Sequence, residues 1–144
     1  MSQVGFYHLT HTDVYGALPA LLGRTLASGE KAVVVCPDEI VLKALDEGLW
    51  GVEWLPHGTM ATPHPEWQPV FLTLGEDNPA GAKFLFRVNG AGGQTDGFVR
   101  VFDLFDGNDE AAVMAARGRW RVEKAAGHEL AYWKQEETGW VKAG

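Results

Sequence analysis

The chain has 144 residues, 46% of them hydrophobic and 22% charged, which fits a single globular domain with a core of its own. Its net charge of −7 opposes direct, general binding to nucleic-acid phosphates, and its single cysteine excludes a disulfide framework and a cysteine zinc site. The N-terminus lacks a signal-peptide pattern and no apolar run approaches the ~18 residues of a membrane span, so we expect a cytoplasmic protein.

The first strand and helix follow one another at the N-terminus. Val4 to Leu9 is typical of a short strand, and Thr12 or Asp13 can cap the helix that follows. Gly29 ends this helix, and Pro19 marks either its regular start or a bend. The apolar positions at helical spacing are Leu18, Leu21, Leu22, Thr25 and Leu26.

The same alternation then repeats. Ala32 to Cys36 is a β-branched run typical of a strand buried on both faces, and Pro37 and Asp38 open a second helix. The apolar face predicted for that helix consists of Ile40, Val41, Ala44, Leu45 and Leu49. Strands alternating with helices in this way predict a parallel, doubly wound sheet.

A long loop interrupts the alternation between Gly51 and Pro69. It holds four of the seven prolines, with Trp54 and Trp67 between them. Loops of this length in a compact domain are usually functional, so we expect an ordered loop with a role in binding.

Three further strands are predicted after the loop. They are Val70 to Leu74, Lys83 to Val88 and Phe98 to Phe105. The Gly-rich segment from Asn89 to Gly97 is interpreted as a flexible hairpin or connection between two of them.

The C-terminal part begins with a long helix. Asp106 to Asp109 can cap it, it runs to about Ala126, and Gly127 stops it. Glu129 to Gln135 is predicted as a last strand or an extended arm.

Four of the twelve Lys and Arg residues lie within eight positions of this last helix. At about 100° per residue, Arg117, Trp120, Arg121 and Lys124 share one stripe, whereas Arg119 points roughly the other way. Guanidinium groups beside an indole suit a peptide that carries a C-terminal carboxylate with an aromatic or apolar side chain, or acidic side chains. The alternative is that these cations only offset the helix dipole and solvate the surface.

Small residues dominate the opposite side of the same helix. Such residues allow close packing, so this side is expected to face the sheet. Its members are Ala111, Ala115, Gly118, Val122 and Ala126.

The segment FDGNDEAAVMAARGRWRVEKAAGHELAYWKQEETGWVKA closely resembles the C-terminal half of the chi subunits of bacterial DNA polymerase III. In that family an FDG-type cap precedes a helix bearing R-x-R-[WY]-[RK], followed by A-G-H-x-L-x-Y-W. Further segments match in the same order, so the resemblance spans nearly the whole chain. They are GFYHL, ALDEGLW, WLPHG, PVFLT and NPAGAKFLFRVNG.

The resemblance implies an α/β fold. It would be a single Rossmann-like, mononucleotide-binding-type domain over residues 1–144, with a mainly parallel sheet flanked by helices and a long C-terminal helix. It also implies an adaptor without catalytic activity, cofactor or metal. Such a subunit binds the acidic C-terminal tail of single-stranded-DNA-binding protein and, through the psi subunit, the clamp loader. It would meet DNA only indirectly, contact no membrane and be monomeric on its own.

The resemblance also assigns residues of a tail site. Arg117 matches the basic residue that receives the carboxylate at the end of the tail. Trp120 and Arg121 match the adjoining aromatic and basic positions, and Lys124 lies on the same stripe. Val113 stands where some members have a lysine, so that contact lacks its lysine here.

A second patch is implied for the psi or clamp-loader contact. Trp50 and Trp54 match its aromatic positions, and Leu55, Pro56 and His57 adjoin them. The alternative for both tryptophans is a role in covering the core.

A rival hypothesis is a nucleotide- or phosphate-dependent enzyme, or a helicase-like repair factor, on the same fold. The turn from Thr10 to Asp13 has no glycine, although phosphate-binding fingerprints need glycines there. We find no phosphate-loop motif and no set of nucleophile, base and orienting residue. His8 and His11 lie near a strand end and are not expected to form a metal site.

Overall fold

The computed structural model describes residues 2–49, 56–92, 94–137 and 139–143. Within these ranges the chain forms seven strands and three α-helices, and a single 3₁₀ turn (Pro65–Trp67) lies in the long loop. In chain order the elements are β1 (Gln3–Leu9), α1 (Val14–Ala27), β2 (Ala32–Val35), α2 (Glu39–Leu49), β3 (Val70–Thr73), β4 (Phe84–Val88), β5 (Arg100–Asp106), α3 (Glu110–Ala125), β6 (Glu129–Glu136) and β7 (Gly139–Lys142).

The strands form one mixed but mostly parallel sheet in the order β3-β2-β4-β5-β1-β6-β7. All neighbouring pairs are parallel except β6 and β7. The predicted parallel α/β arrangement is therefore confirmed. Because β4 and β5 are parallel, the Gly-rich segment between them is a connection and not a hairpin. The short antiparallel β7 was not predicted.

The helices cover the two faces of the sheet. Leu18 and Leu22 of α1 and Leu45 of α2 belong to one hydrophobic core. Ala116 of α3 belongs to a second core together with Phe6 and residues of the central strands. Alternate residues of β1 serve the two cores, so the helices α1 and α2 lie on one face and α3 lies on the other.

Local signals at the helix ends act as predicted. The side chain of Asp13 caps α1 by accepting a hydrogen bond from the Gly16 amide, and that of Asp109 caps α3 by accepting from the Ala111 amide. Gly127 follows α3 with a φ of 85°, a backbone conformation that favours glycine. Pro19 lies inside α1, which therefore begins before it.

The prediction of the apolar face of α2 is wrong for one residue. Ile40 is 80% exposed, whereas Val41, Leu45 and Leu49 are buried. These three recur every four residues and point to the sheet, and Ile40 lies about a quarter-turn away in the first turn of the helix.

The predicted sheet-facing side of α3 is also wrong. Val122 is 67% exposed, and Ala111, Ala115 and Ala126 are exposed as well. The side that faces the sheet instead carries the buried residues Ala116 and Glu123. A charged residue on the inner side of a helix has to find a partner there, because an unpaired buried charge is costly.

Buried ion pairs supply those partners and explain the orientation of α3. Asp103 accepts two hydrogen bonds from Arg119, at 2.7 Å from Nε and 2.9 Å from Nη2. Arg87 lies 3.1 Å from Asp103 through Nη2 and 2.9 Å from Glu123 through Nη1. Arg87 and Asp103 are register partners on β4 and β5. The network therefore sets the rotation of α3 on the sheet.

Candidate functional site

A small cavity lies between α3 and the strands β5 and β6. Its volume is about 190 Å³, and most of its wall is apolar. The residues that line it are Phe105, Val113, Ala116, Arg117, Trp120 and Tyr132. The structure thus brings two of the predicted site residues, Arg117 and Trp120, to the same opening.

Trp120 forms part of the wall of this cavity. Its indole packs edge-on against Phe6, with ring centroids 5.3 Å apart, and against Tyr132 at 6.0 Å. The side chain is half-buried, so it is not the fully outward residue that the helical stripe predicts. These ring contacts hold the indole in one position beside Arg117.

Arg117 supplies the positive charge at the cavity. Its side chain is exposed, and its Nη1 lies 4.0 Å from the sulfur of Met114. Burial lowers the pKa of His8 and raises that of Tyr132, and the charge of Arg117 adds to the first effect and opposes the second. No ion pair among the described residues involves Arg117, so its guanidinium can bind an external anion.

Arg121 and Lys124 extend the cationic surface beyond the cavity. Both side chains are exposed on the following turns of α3, and neither is among the residues that line the cavity. The predicted stripe is therefore divided into a cavity with one arginine and two further cations along the helix.

Three residues of the cavity wall were not predicted as members of the site: Phe105 from β5, Ala116 from α3 and Tyr132 from β6. Val113, noted from the sequence only as the position of a lysine in some family members, lines the cavity one helical turn before Arg117. Tyr132 reaches α3 because it shares a register position with Phe6 on the neighbouring strand. Alternation along β6 could have shown that Tyr132 shares a face with Leu130, but not which helix covers that face.

The predicted second patch is described only in part. Trp50, Trp54 and Leu55 lie outside the described residues. Pro56 is exposed, whereas His57 is 2% exposed and its Nε2 lies 2.7 Å from Oδ1 of Asp46. His57 therefore anchors the first described residues of the long loop on α2.

A larger cleft of about 710 Å³ lies at the carboxyl ends of β1, β4 and β5. In nucleotide-binding sheets this place holds a phosphate. Here the backbone N–H groups of Thr10, His11 and Thr12 all donate to Oε1 of Gln135, at 3.2, 2.9 and 3.0 Å. The chain's own amide oxygen thus occupies the backbone donors that a phosphate would use.

The charges of that cleft also disfavour a phosphate. Three carboxylates line it, those of Asp13, Asp106 and Asp109, against one arginine, Arg119, whose guanidinium already donates to Asp103. The described residues contain no group of histidine, cysteine and acidic side chains that could hold a metal ion. Within the same ranges, every helix is too short or too polar to cross a bilayer.

Comparison with known proteins adds a family match. The profile of the family described as DNA polymerase III chi subunit, HolC, matches residues 1–131. The probable DNA polymerase III subunit chi of Rickettsia prowazekii (strain Madrid E) is 28% identical over 92 residues. That alignment covers 62% of this chain and 56% of the relative, so it spans little more than half of the relative's length.

Proposed function

Because the chain belongs to the DNA polymerase III chi subunit family, we propose that it is a non-catalytic adaptor of the replicative polymerase. In this role it binds the acidic C-terminal tail of single-stranded-DNA-binding protein and links it, through psi, to the clamp loader. The observation that carries the proposal is the apolar cavity with Arg117 beside it.

The shape of the cavity supports a peptide end as its ligand. A volume of about 190 Å³ suits a single large side chain and is small for a nucleotide. Its aromatic walls, Phe105, Trp120 and Tyr132, favour an apolar or aromatic occupant. A residue at the very end of a chain places a carboxylate next to such a side chain.

The charges around the cavity support an acidic peptide. Arg117 offers a planar fork of donors that fits a carboxylate with two parallel hydrogen bonds. Arg121 and Lys124 lie further along α3, where they attract acidic side chains that precede the terminal residue. On a chain of net charge −7, this local cationic surface gives an acidic partner a defined place to bind.

The described part of the long loop supports a separate contact with psi or another clamp-loader component. This contact would use Trp50, Trp54, Leu55, Pro56 and His57. The buried His57 holds exposed Pro56 beside α2, which packs on the sheet face opposite α3. Partners on opposite faces can bind at the same time.

The topology supports the Rossmann-like part of the proposal. The strands β1 and β5 are neighbours at the centre of the sheet. From β1 the chain passes through α1 to β2, toward one edge of the sheet, and from β5 it passes through α3 to β6, toward the other edge. Crossovers that diverge from one point are characteristic of doubly wound, nucleotide-binding-type sheets. We take residues 1–144 as one domain that acts as a monomer in the cytoplasm.

Calorimetric titration with two matched peptides tests the proposal. One peptide carries acidic residues and an apolar C-terminal residue with a free carboxylate, and the other ends in an amide. The peptide with the free carboxylate should bind more tightly by roughly 1.5–3 kcal/mol of binding free energy, the range for a hydrogen bond to a charged group. Equal affinity for the two peptides, or no binding of either, would contradict the proposal.

The rival enzymatic function has a separate test. A thermal-shift screen with nucleotides and with the acidic peptide reports which ligand binds the folded chain. We expect stabilisation by the peptide and not by nucleotides, because Gln135 occupies the Thr10–Thr12 donors. Stabilisation by a nucleotide alone would favour the rival.

A further inference from the structure

His8 stands directly behind the wall of the cavity. Its Nδ1 is hydrogen-bonded to the hydroxyl of Tyr132. Its ring also packs edge-on against Phe105 and Tyr132, with centroids 5.3 and 5.7 Å apart. Both contacts are with residues that line the cavity, although His8 itself does not line it. A change in the state of His8 is therefore passed to the wall through Tyr132.

The surroundings define how the neutral ring is bonded. On the far side of the ring, Nε2 adjoins Gly107, since a Cβ added there would lie 2.2 Å from it. The backbone of Gly107 raises the pKa of His8, the direction expected for a carbonyl that favours the protonated ring. In the neutral tautomer that carries its hydrogen on Nε2, Nδ1 accepts the hydrogen bond from the Tyr132 hydroxyl.

Charged groups reach His8 from several elements. Burial lowers its pKa most, and the positive charges of Lys134 on β6 and Arg117 on α3 lower it further. The carboxylate of Asp106, at the end of β5, has the opposite effect. Burial raises the pKa of Tyr132, so its hydroxyl keeps its proton at neutral pH. The resting state is thus a neutral imidazole that accepts from a neutral phenol.

We propose that His8 and Tyr132 form a proton-linked donor for the carboxylate of the peptide that binds beside Arg117. This inference rests on the proposed function. When Nδ1 takes up a proton from solvent, it donates to the Tyr132 oxygen, and the Tyr132 hydrogen has to turn away from His8. The phenol can then donate to a carboxylate in the cavity. The proton adds one positive charge, and the phenol hydrogen stays on its oxygen.

Thermodynamic linkage between proton binding and peptide binding gives the direction in which pH changes the peptide affinity. A bound carboxylate offsets the charge of Arg117 and raises the pKa of His8. By reciprocity the peptide binds more tightly to the protonated form. Affinity therefore rises as the pH falls through the pKa of His8 in the complex, and levels off below the lower pKa of the free protein. Each unit between these two values corresponds to about a tenfold change in affinity.

The test is the dissociation constant of the acidic peptide between about pH 8 and about pH 5.5, the range over which histidine titrates. Affinity should rise toward low pH in the unmodified chain. The pH dependence should disappear in His8→Gln, which removes the titrating ring. It should become smaller in Tyr132→Phe, which loses the phenol donor but keeps His8, whose positive charge still acts on the bound carboxylate. His11→Gln is the matched control. Its exposed side chain lies in the turn after β1, and the pH dependence should remain.

A measurement on the unmodified chain does not depend on how the variants fold. NMR titration of the His8 ring should show a higher pKa with the peptide than without it. Peptide binding with a flat pH profile, or with an unchanged His8 pKa, would overturn the proton link and leave the adaptor function standing. Absence of peptide binding at every pH would overturn both.

Discussion

Asp103 holds two arginine side chains at once. It is 1% exposed, accepts two hydrogen bonds from Arg119 and lies 3.1 Å from Arg87. Two cations so close together would repel one another without the carboxylate between them. Asp103 therefore allows a charged helix face to pack on the sheet.

Asp103→Asn should destabilise the fold strongly. The amide keeps the size of the side chain but removes the negative charge, which leaves Arg87 and Arg119 without full compensation. Breaking a buried ion pair in this way typically costs about 3–5 kcal/mol. Urea denaturation measures the change in the free energy of unfolding.

Asp96→Asn is the control for that experiment, because Asp96 is exposed. It should change the free energy of unfolding by less than about 0.5 kcal/mol, as surface substitutions usually do. Similar stabilities for the two variants would show that the buried network contributes little.

Arg117→Ala should weaken binding of the acidic peptide by roughly 1.5–3 kcal/mol. The peptide affinity of Arg117→Lys should lie between those of the unmodified chain and the alanine variant, because lysine keeps the charge but loses the planar fork of donors. Neither change should alter the thermal midpoint much, since the side chain is exposed. Calorimetry and thermal unfolding measure the two effects.

Arg24→Ala is the matched control for the loss of an exposed cation. Arg24 lies on α1, which packs on the opposite face of the sheet from α3. It should leave peptide affinity nearly unchanged. An equal loss in the Arg24 and Arg117 variants would mean that only net charge matters.

At the scale of elements, α3 shows which sequence signals are sufficient. Its ends were predicted closely because Asp109 and Gly127 act through local hydrogen bonds and backbone conformation. The face of α3 that packs on the sheet was not predicted, because it depends on ion pairs with Arg87 and Asp103, which belong to two separate strands. Small residues permit close packing, but buried charges on the sheet decided the rotation.

A matched pair of substitutions tests the rotation of α3. Ala116 is 2% exposed, and its neighbour Ala115 is exposed. Ala116→Glu places a new charge in the core and should lower the free energy of unfolding by several kcal/mol. Ala115→Glu should lower it by about 0.5 kcal/mol or less. Chemical denaturation of both variants gives the comparison. The reverse order would mean that the helix packs on its small-residue side.

The strands show the same division between local and distant information. Six of the seven described strands were predicted near their observed positions, because each has a clear β-branched or apolar run. Tyr132 and Phe105 were not recognised as partners of Arg117, since the sheet order that brings them together cannot be obtained from either strand alone.

For the whole molecule, the placement of α2 and α3 on opposite faces separates the two proposed contacts. Trp50→Ala and Trp54→Ala should weaken association with psi or the clamp loader and leave peptide affinity unchanged. Pull-down of clamp-loader components and peptide calorimetry on the same preparations measure the two properties. Normal pull-down by both variants would show that this patch was assigned wrongly.

The overall charge predicts a dependence on salt. The proposed acidic peptide would approach a chain of net charge −7 and bind at a local cationic surface. Salt screens exposed charges over a Debye length of ~10 Å at 0.1 M, so the short-range attraction by Arg117, Arg121 and Lys124 should weaken as salt rises. A series of calorimetric titrations at increasing salt checks the direction. Constant affinity would argue for a mainly apolar contact, and rising affinity would mean that repulsion by the overall negative charge outweighs the local attraction.

The contact between Gln135 and the first turn has a consequence for competition. An amide oxygen tethered on β6 is present at the Thr10–Thr12 donors at a high effective concentration, whereas a free phosphate must reach them from solution. A phosphate would have to displace the Gln135 amide oxygen, and the three carboxylates that line the cleft would repel it. Fluctuations in cellular phosphate or nucleotide levels should therefore leave the occupancy of this turn unchanged.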